Sequence, residues 1–155
     1  MITYKFGDIL QSGCNVIVHQ VNCQGVMGSG IAKQIRDMFP VVFSEYRELY
    51  ENFTSKGESL LGVCQLVQAT GWLQICNFYS QDKYLPRGIC HTNYTAFRTC
   101  CRMLRKQVEP DAIIGFPYKI GCGLAGGDWT TVLEVIEQEL GHFNVEIWRL
   151  PNGTK

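Results

Sequence analysis

Asn15-Val16-Ile17-Val18-His19-Gln20-Val21-Asn22-Cys23-Gln24-Gly25-Val26-Met27-Gly28-Ser29-Gly30-Ile31-Ala32 runs from a β-branched apolar stretch through a glycine-rich loop into helical spacing. A continuous apolar run of this kind is the profile of a central strand buried on both faces. Ser29 stands where a helix cap is expected, and Ile31, Ala32, Ile35 and Met38 then form an inward face that Pro40 closes. The same order recurs downstream. Ala112-Ile113-Ile114-Gly115-Phe116 reads as a buried strand and Ile120-Gly121-Cys122-Gly123-Leu124-Ala125-Gly126-Gly127-Asp128 as a loop. Trp129, Val132, Leu133, Ile136 and Leu140 follow as a helix ended by Gly141. Glycine lets a backbone approach a ligand closely, and a helix N-terminus offers free N–H donors and a positive dipole end. Two such loops, brought together, suit a diphosphate.

Outward from these segments, strands and helices alternate. Ile2–Phe6 alternates apolar and polar before the Gly7-Asp8 break, and Val145–Leu150 alternates at the other end. Tyr46, Leu49, Tyr50 and Phe53 recur at helical spacing, Gly62–Leu66 and Trp72–Phe78 read as short strands, and Tyr94–Val108 is the clearest amphipathic helix. This pattern predicts an α/β fold of three layers. Its centre is a mixed, largely parallel sheet of about six strands, with helices on both faces. Residues 1–150 form one domain and 151–155 a polar tail. Ligands in such sheets bind at the carboxyl ends of the strands, where both loops fall, with Tyr79–Gly88 as a third wall.

Hydrophobic residues are 46% of the 155, charged residues 18%, and the formal net charge is zero. Zero charge argues against nucleic acid as a partner through phosphate neutralisation. No apolar run approaches the ~20 residues that span a bilayer, and Met1–Lys5 enters strand-like alternation without a signal core, so no membrane partner is expected. The eight cysteines form no CxxC pair and no zinc spacing, which predicts a reduced, cytoplasmic protein with no metal and no cofactor. Cys122 in its loop reads as a small residue rather than a nucleophile. Gly121-x-Gly123-x-x-Gly126 formally matches the dinucleotide fingerprint. That motif belongs in the first strand–helix turn, with an acid closing the next strand, whereas Glu146 lies within the last strand. A nicotinamide-dependent enzyme is the remote alternative.

Four pieces in order carry a resemblance over nearly the whole chain. These are Gly7-Asp8-Ile9, Val18–Asn22 leading into Gly28–Ala32, Asn77-Phe78-Tyr79-Ser80-Gln81, and Phe116–Trp129. The chain resembles the macrodomains, the ADP-ribose-binding family. It is most similar to the single-domain branch of terminal ADP-ribose protein glycohydrolase and ADP-ribose-1''-phosphate phosphatase. The resemblance implies that Asp8 accepts a hydrogen bond from the adenine amino group, with the Ile9 N–H beside it. Asn22 would lie near the distal ribose, while Gly28, Ser29, Gly30 and Ile31 face the diphosphate. Gly121, Cys122, Gly123 and Leu124 would clasp its other side, and Val21, Tyr79, Gln81 and Ile120 complete the binding set.

Where glycohydrolases of this branch carry a lysine and an aspartate, this chain has Gln81 and Ala125. Neither replacement attacks a sugar or exchanges a proton. His19 stands at a position similar to a histidine of the phosphatase-like members, and Asp128 opens the helix after the second loop. Together they form the expected catalytic pair, a histidine and a carboxylate able to orient water or protonate a departing ribose oxygen. Tyr79, Tyr84 and His91 are further lining candidates. Two functions stay open: hydrolysis of ADP-ribose derivatives, ADP-ribose 1''-phosphate or an ADP-ribosyl ester, and non-catalytic reading of ADP-ribose. The partners implied are ADP-ribose, its derivatives and ADP-ribosylated protein.

Overall fold

The computed structural model describes residues 1–151; the expected polar tail lies, beyond Pro151, outside the described residues. Six strands, β1 (Ile2–Phe6), β2 (Val16–Val21), β3 (Cys64–Gln68), β4 (Gln74–Tyr79), β5 (Ile113–Pro117) and β6 (Asn144–Arg149), form one sheet in the order β1-β6-β5-β2-β4-β3. All neighbours are parallel except the β3–β4 pair. Four helices cover it: α1 (Gly30–Met38), α2 (Pro40–Ser55), α3 (Tyr94–Gln107) and α4 (Trp129–Leu140). This is the mixed, largely parallel three-layer arrangement expected.

Alternation along β2 divides the core. Val16 and Val18 pack with Phe97, Leu104, Ile136 and Leu140 of α3 and α4, whereas Ile17 and Val21 pack with Ile35, Val42 and Tyr46 of α1 and α2. The rings of Phe78, Phe97 and Phe116 lie 5.3 to 6.4 Å apart at the centre of the α3/α4 side. Each such ring removed from water contributes about 1.5–3 kcal/mol. The chain leaves β2 towards one face through α1 and leaves β5 towards the other through α4. Since β2 and β5 are neighbours, a crevice opens between their carboxyl ends.

Local expectations shift in three places. The two middle strands start about two residues later than the turn residues suggested, because Val63 and Leu73 are held in the flanking turns by Leu60 and Ala69. Pro40 not only follows α1 but opens α2 at its first turn, where a missing N–H is no loss. Ser29 makes no side-chain cap bond and Met38 is exposed, so the inward face of α1 rests on Ile35 with Ile31 and Ala32 beside it.

Candidate ligand-binding site

Two glycine loops meet at the crevice. Loop 1 (22–29) joins β2 to α1, and loop 2 (118–128) joins β5 to α4. The N–H groups of Gly28, Ser29, Gly30 and Ile31 make no hydrogen bond among the described residues, and α1 has no side-chain cap. Those of Gly121, Gly123 and Leu124 are equally uncommitted. α3 and α4, by contrast, are capped by Asn93 and Asp128. Free N–H donors on loops that follow neighbouring strands suit an anion with two phosphates.

The segment after β4 ties the loops together. Cys23 N–H donates to Asp82 O at 2.9 Å, and the Gln24 amide donates to both the carbonyl and the carboxylate of Asp82 at 3.1 Å. On the other side Thr92 Oγ1 donates to Gly121 O at 2.6 Å, and His91 N–H donates to Ala125 O at 2.7 Å. Gln20 on β2 links them all, giving its amide hydrogens to Gln81 and Thr92 and taking the Ser80 hydroxyl. A Cβ on Gly127 would lie 2.6 Å from Gly121 O, so the return of loop 2 on itself demands glycine there. Gln20, Thr92 and Asp82 organise the site; Gln20 and Asp82 lie in segments singled out from the sequence but were assigned no role, and Thr92 lies in none. Their linking role became visible only once the three segments were neighbours.

Asp8 is exposed; one oxygen accepts the Leu10 N–H at 3.0 Å at the head of the 3-10 turn Ile9–Gln11, and the other is open. The Ile9 side chain is buried beneath it. Asn22 is more occupied than its expected ribose contact suggests. Its carbonyl takes the Tyr46 hydroxyl and the Gln24 N–H, its amide gives one hydrogen to Val26 O, and one hydrogen remains. Val21 and Ile120 turn their side chains into the core, so only their backbone faces the crevice. Cys122 lies half-buried, with burial pushing its thiol up to about 11, consistent with a packing residue.

Two expected residues, Tyr79 and His19, are fully buried, and a third, Gln81, is tied into the scaffold. Tyr79 is fully buried, stacked on Tyr46 at 5.5 Å and donating to Gln65 Oε1 at 2.9 Å, because its strand parity points it under α2. Gln81 spends its carbonyl on Gln20 and its amide on Lys83 O. His19 has no exposed surface; Nε2 donates to Asn77 Oδ1 at 2.6 Å, and burial lowers its pKa to about 4. A neutral histidine without access to solvent cannot touch a ligand, which corrects its expected catalytic role. Asp128 is exposed at the head of α4, where Oδ2 takes the Thr131 N–H and hydroxyl; these bonds lower its pKa and keep it ionised. Among the further candidates, Tyr84 is exposed, and His91 Nε2 donates to Pro86 O at 2.6 Å.

No family model matches the sequence. A curated relative, a DNA ADP-ribosyl glycohydrolase of Mycobacterium tuberculosis, is 32% identical over 144 residues, 90% of this chain and 38% of that protein. The macrodomain of Mycobacterium tuberculosis DarG superposes with a TM-score of 0.74 at 26% identity, covering 96% of this chain and 97% of that one. The chain belongs to the macrodomain family. An ADP-ribose 1''-phosphate phosphatase of Saccharomyces cerevisiae is 38% identical over 68 residues, 43% of this macrodomain and 37% of that protein. This macrodomain thus spans about two fifths of the length of each of these two curated relatives. Two open polar grooves also flank α2, along Ser44, Glu48 and Asn52 and along Leu49 and Gln65, and neither includes a residue of the glycine loops. Among the described residues no helix is long and apolar enough to cross a membrane.

Proposed function

We propose that this macrodomain binds ADP-ribose and hydrolyses ADP-ribose derivatives, either ADP-ribose 1''-phosphate or an ADP-ribosyl ester. The observation that carries the reading is the pair of uncommitted N–H arrays, one on loop 1 and one on loop 2, at the ends of neighbouring strands. Strands lie about 4.8 Å apart, so Asp8 after β1 sits three strand spacings, about 14 Å, from loop 1. An extended nucleotide crosses that distance with its adenine at Asp8 and its diphosphate between the loops. The open Asp8 oxygen accepts the exocyclic amine, and the remaining Asn22 hydrogen is available to a ribose oxygen. The relatives' activities on ADP-ribosyl compounds point the same way.

For turnover, Asp128 is the group suited to taking a proton from an attacking water: it is ionised, exposed and has one oxygen unengaged. The water would attack the anomeric carbon of the distal ribose, Asp128 taking its proton as the new C–O bond forms. With no proton available beforehand for the leaving group, the old C–O bond breaks with phosphate or carboxylate departing as the anion. These leaving groups do so more readily than a nitrogen or an alkoxide. That favours the phosphate and ester substrates.

A second reading, a reader that holds ADP-ribosylated protein without turnover, is favoured by one observation. Gln81 and Ala125 stand at the lysine and aspartate positions of the resembling glycohydrolases, and Gln81 is bound up in the scaffold. The nicotinamide alternative loses its acidic residue, since Glu146 Oε1 is engaged by Trp148 Nε1 at 2.9 Å and Cys14 Sγ at 3.4 Å.

Calorimetry with ADP-ribose and AMP, followed by time courses on ADP-ribose 1''-phosphate, an ADP-ribosyl ester on protein and ADP-ribosylated DNA, tests the reading. Equal affinity for AMP and ADP-ribose rejects the diphosphate site. Tight binding without product from any substrate selects the reader.

A further inference from the structure

Tyr46 occupies a helical core position on α2, and its ring is fully buried, yet its hydroxyl is spent on loop 1. It accepts the Val26 N–H at 2.9 Å and donates towards Asn22 Oδ1 at 2.7 Å, with Asn22 O at 3.0 Å alongside. Burial raises the phenol's pKa, so at neutral pH it remains a donor. A core position asks only for a ring; phenylalanine would fill the same volume. The hydroxyl instead fastens two residues, Asn22 and Val26, immediately ahead of the free N–H groups that begin at Gly28.

The rest of the surroundings fix the hydroxyl in place. Tyr79 stacks on the Tyr46 ring at an interplanar angle of 9°, and Tyr79 itself is held through Gln65 Oε1, which also takes the Asn77 amide at 3.0 Å. Asn77 in turn receives His19 Nε2. The neighbouring Arg47 donates to Gly25 O at 3.1 Å. A Cβ on Gly25, which has φ +80°, would lie 2.8 Å from the Tyr50 ring. Tyr46 and Arg47 of α2 therefore hold the turn Asn22–Val26, with the Tyr50 ring close against Gly25, and none of the three bonds to Gly28–Ile31.

We propose that Tyr46 is a positioning residue for the diphosphate: its hydroxyl holds loop 1 in the shape that presents the Gly28–Ile31 N–H groups before any ligand arrives. The inference rests on the ADP-ribose-binding reading and names the side chain that preorganises that site. Preorganised donors avoid the ordering cost on binding. Losing the hydroxyl removes the partner of the part-buried Val26 N–H and frees loop 1 to rearrange.

The test is Tyr46→Phe, titrated with ADP-ribose by calorimetry and with adenosine by NMR. Adenosine carries no phosphate and reaches only the Asp8 end. The expected result is a loss of about tenfold in ADP-ribose affinity with adenosine binding unchanged. Equal loss for both ligands makes Tyr46 a general structural support and overturns the proposal, as does an unchanged ADP-ribose affinity. Failure of the wild type to bind ADP-ribose rejects the underlying reading itself, so the two failures are separable. Should Tyr46→Phe not fold, amide hydrogen exchange on the free wild type decides: Val26 protected to the level of the core supports the proposal, and Val26 exchanging at loop rates overturns it.

Discussion

His19 and Asp128 lie on opposite faces of the central sheet. His19 shares the parity of Ile17 and Val21, beneath α1 and α2, and bonds to Asn77. Asp128 heads α4 on the other face, where its N–H donates to the Tyr94 hydroxyl at 2.9 Å. His19 has no exposed surface and Asp128 is exposed, and each has a separate consequence.

Asp128 caps α4 and is the proposed base, and two substitutions separate these roles. Asp128→Asn keeps an oxygen for the Thr131 N–H, so its melting temperature stays near that of the wild type while turnover falls at least tenfold. Asp128→Ala loses both, melting lower as well. Steady-state rates beside calorimetric melting curves check this; full activity in Asp128→Asn removes the carboxylate from the mechanism.

His19 makes stability depend on pH. Its folded pKa, about 4, lies below the ordinary 6.5, so the unfolded chain binds the proton more readily. The stabilisation is complete above about pH 6.5 and is lost as pH falls towards 4, a change of about 3 kcal/mol. Urea unfolding between pH 4 and 7 should show this slope in the wild type and a flatter one in His19→Gln, which retains a donor for Asn77. Parallel slopes would contradict the buried neutral ring.

Gly127→Ala should disable the second loop without unfolding the domain. The new methyl meets Gly121 O at 2.6 Å and Thr92 Oγ1 at 3.1 Å, so the backbone carrying the Gly121–Leu124 donors must move. We expect ADP-ribose affinity at least tenfold weaker by calorimetry, with the far-UV circular dichroism unchanged.

Glu139 holds α3 against α4. Its side chain is only 7% exposed and receives Arg98 at 2.6 Å, Arg105 at 2.8 Å and Arg102 at 3.1 Å. Burial alone raises its pKa, but the arginines outweigh burial and hold the carboxyl below its ordinary range. Glu139→Gln leaves three partly exposed guanidiniums without a counter-charge, which costs about 1–2 kcal/mol after solvent screening. Chemical denaturation measures it, and ADP-ribose affinity should not change.

The layered fold and both loops were legible because their signals are local. Val16–Val21 is apolar without interruption, Tyr94–Gln107 has helical spacing, and each glycine run sits between a strand and a helix. The strand shifts around Val63 and Leu73 were not, since turn hydrogen bonds decided them. Tyr46 read as core because a hydroxyl's partner is invisible in a periodicity. The roles of Gln20, Asp82 and Thr92 gave no signal, as their partners are 29 to 72 residues away.

By itself the sequence determined which segments become strands, helices and glycine turns, because backbone freedom and apolar period act over a few residues. It also determined that loops of this kind would end at the same edge of a parallel sheet. Tertiary structure alone decided which side chains reach that edge. Strand parity sent His19 and Tyr79 inward, the α4 cap engaged Asp128, and the packing of α2 beneath loop 1 turned a core tyrosine towards the site. Side-chain reach depends on what lies across the sheet and above it, and sequence distance carries no record of that.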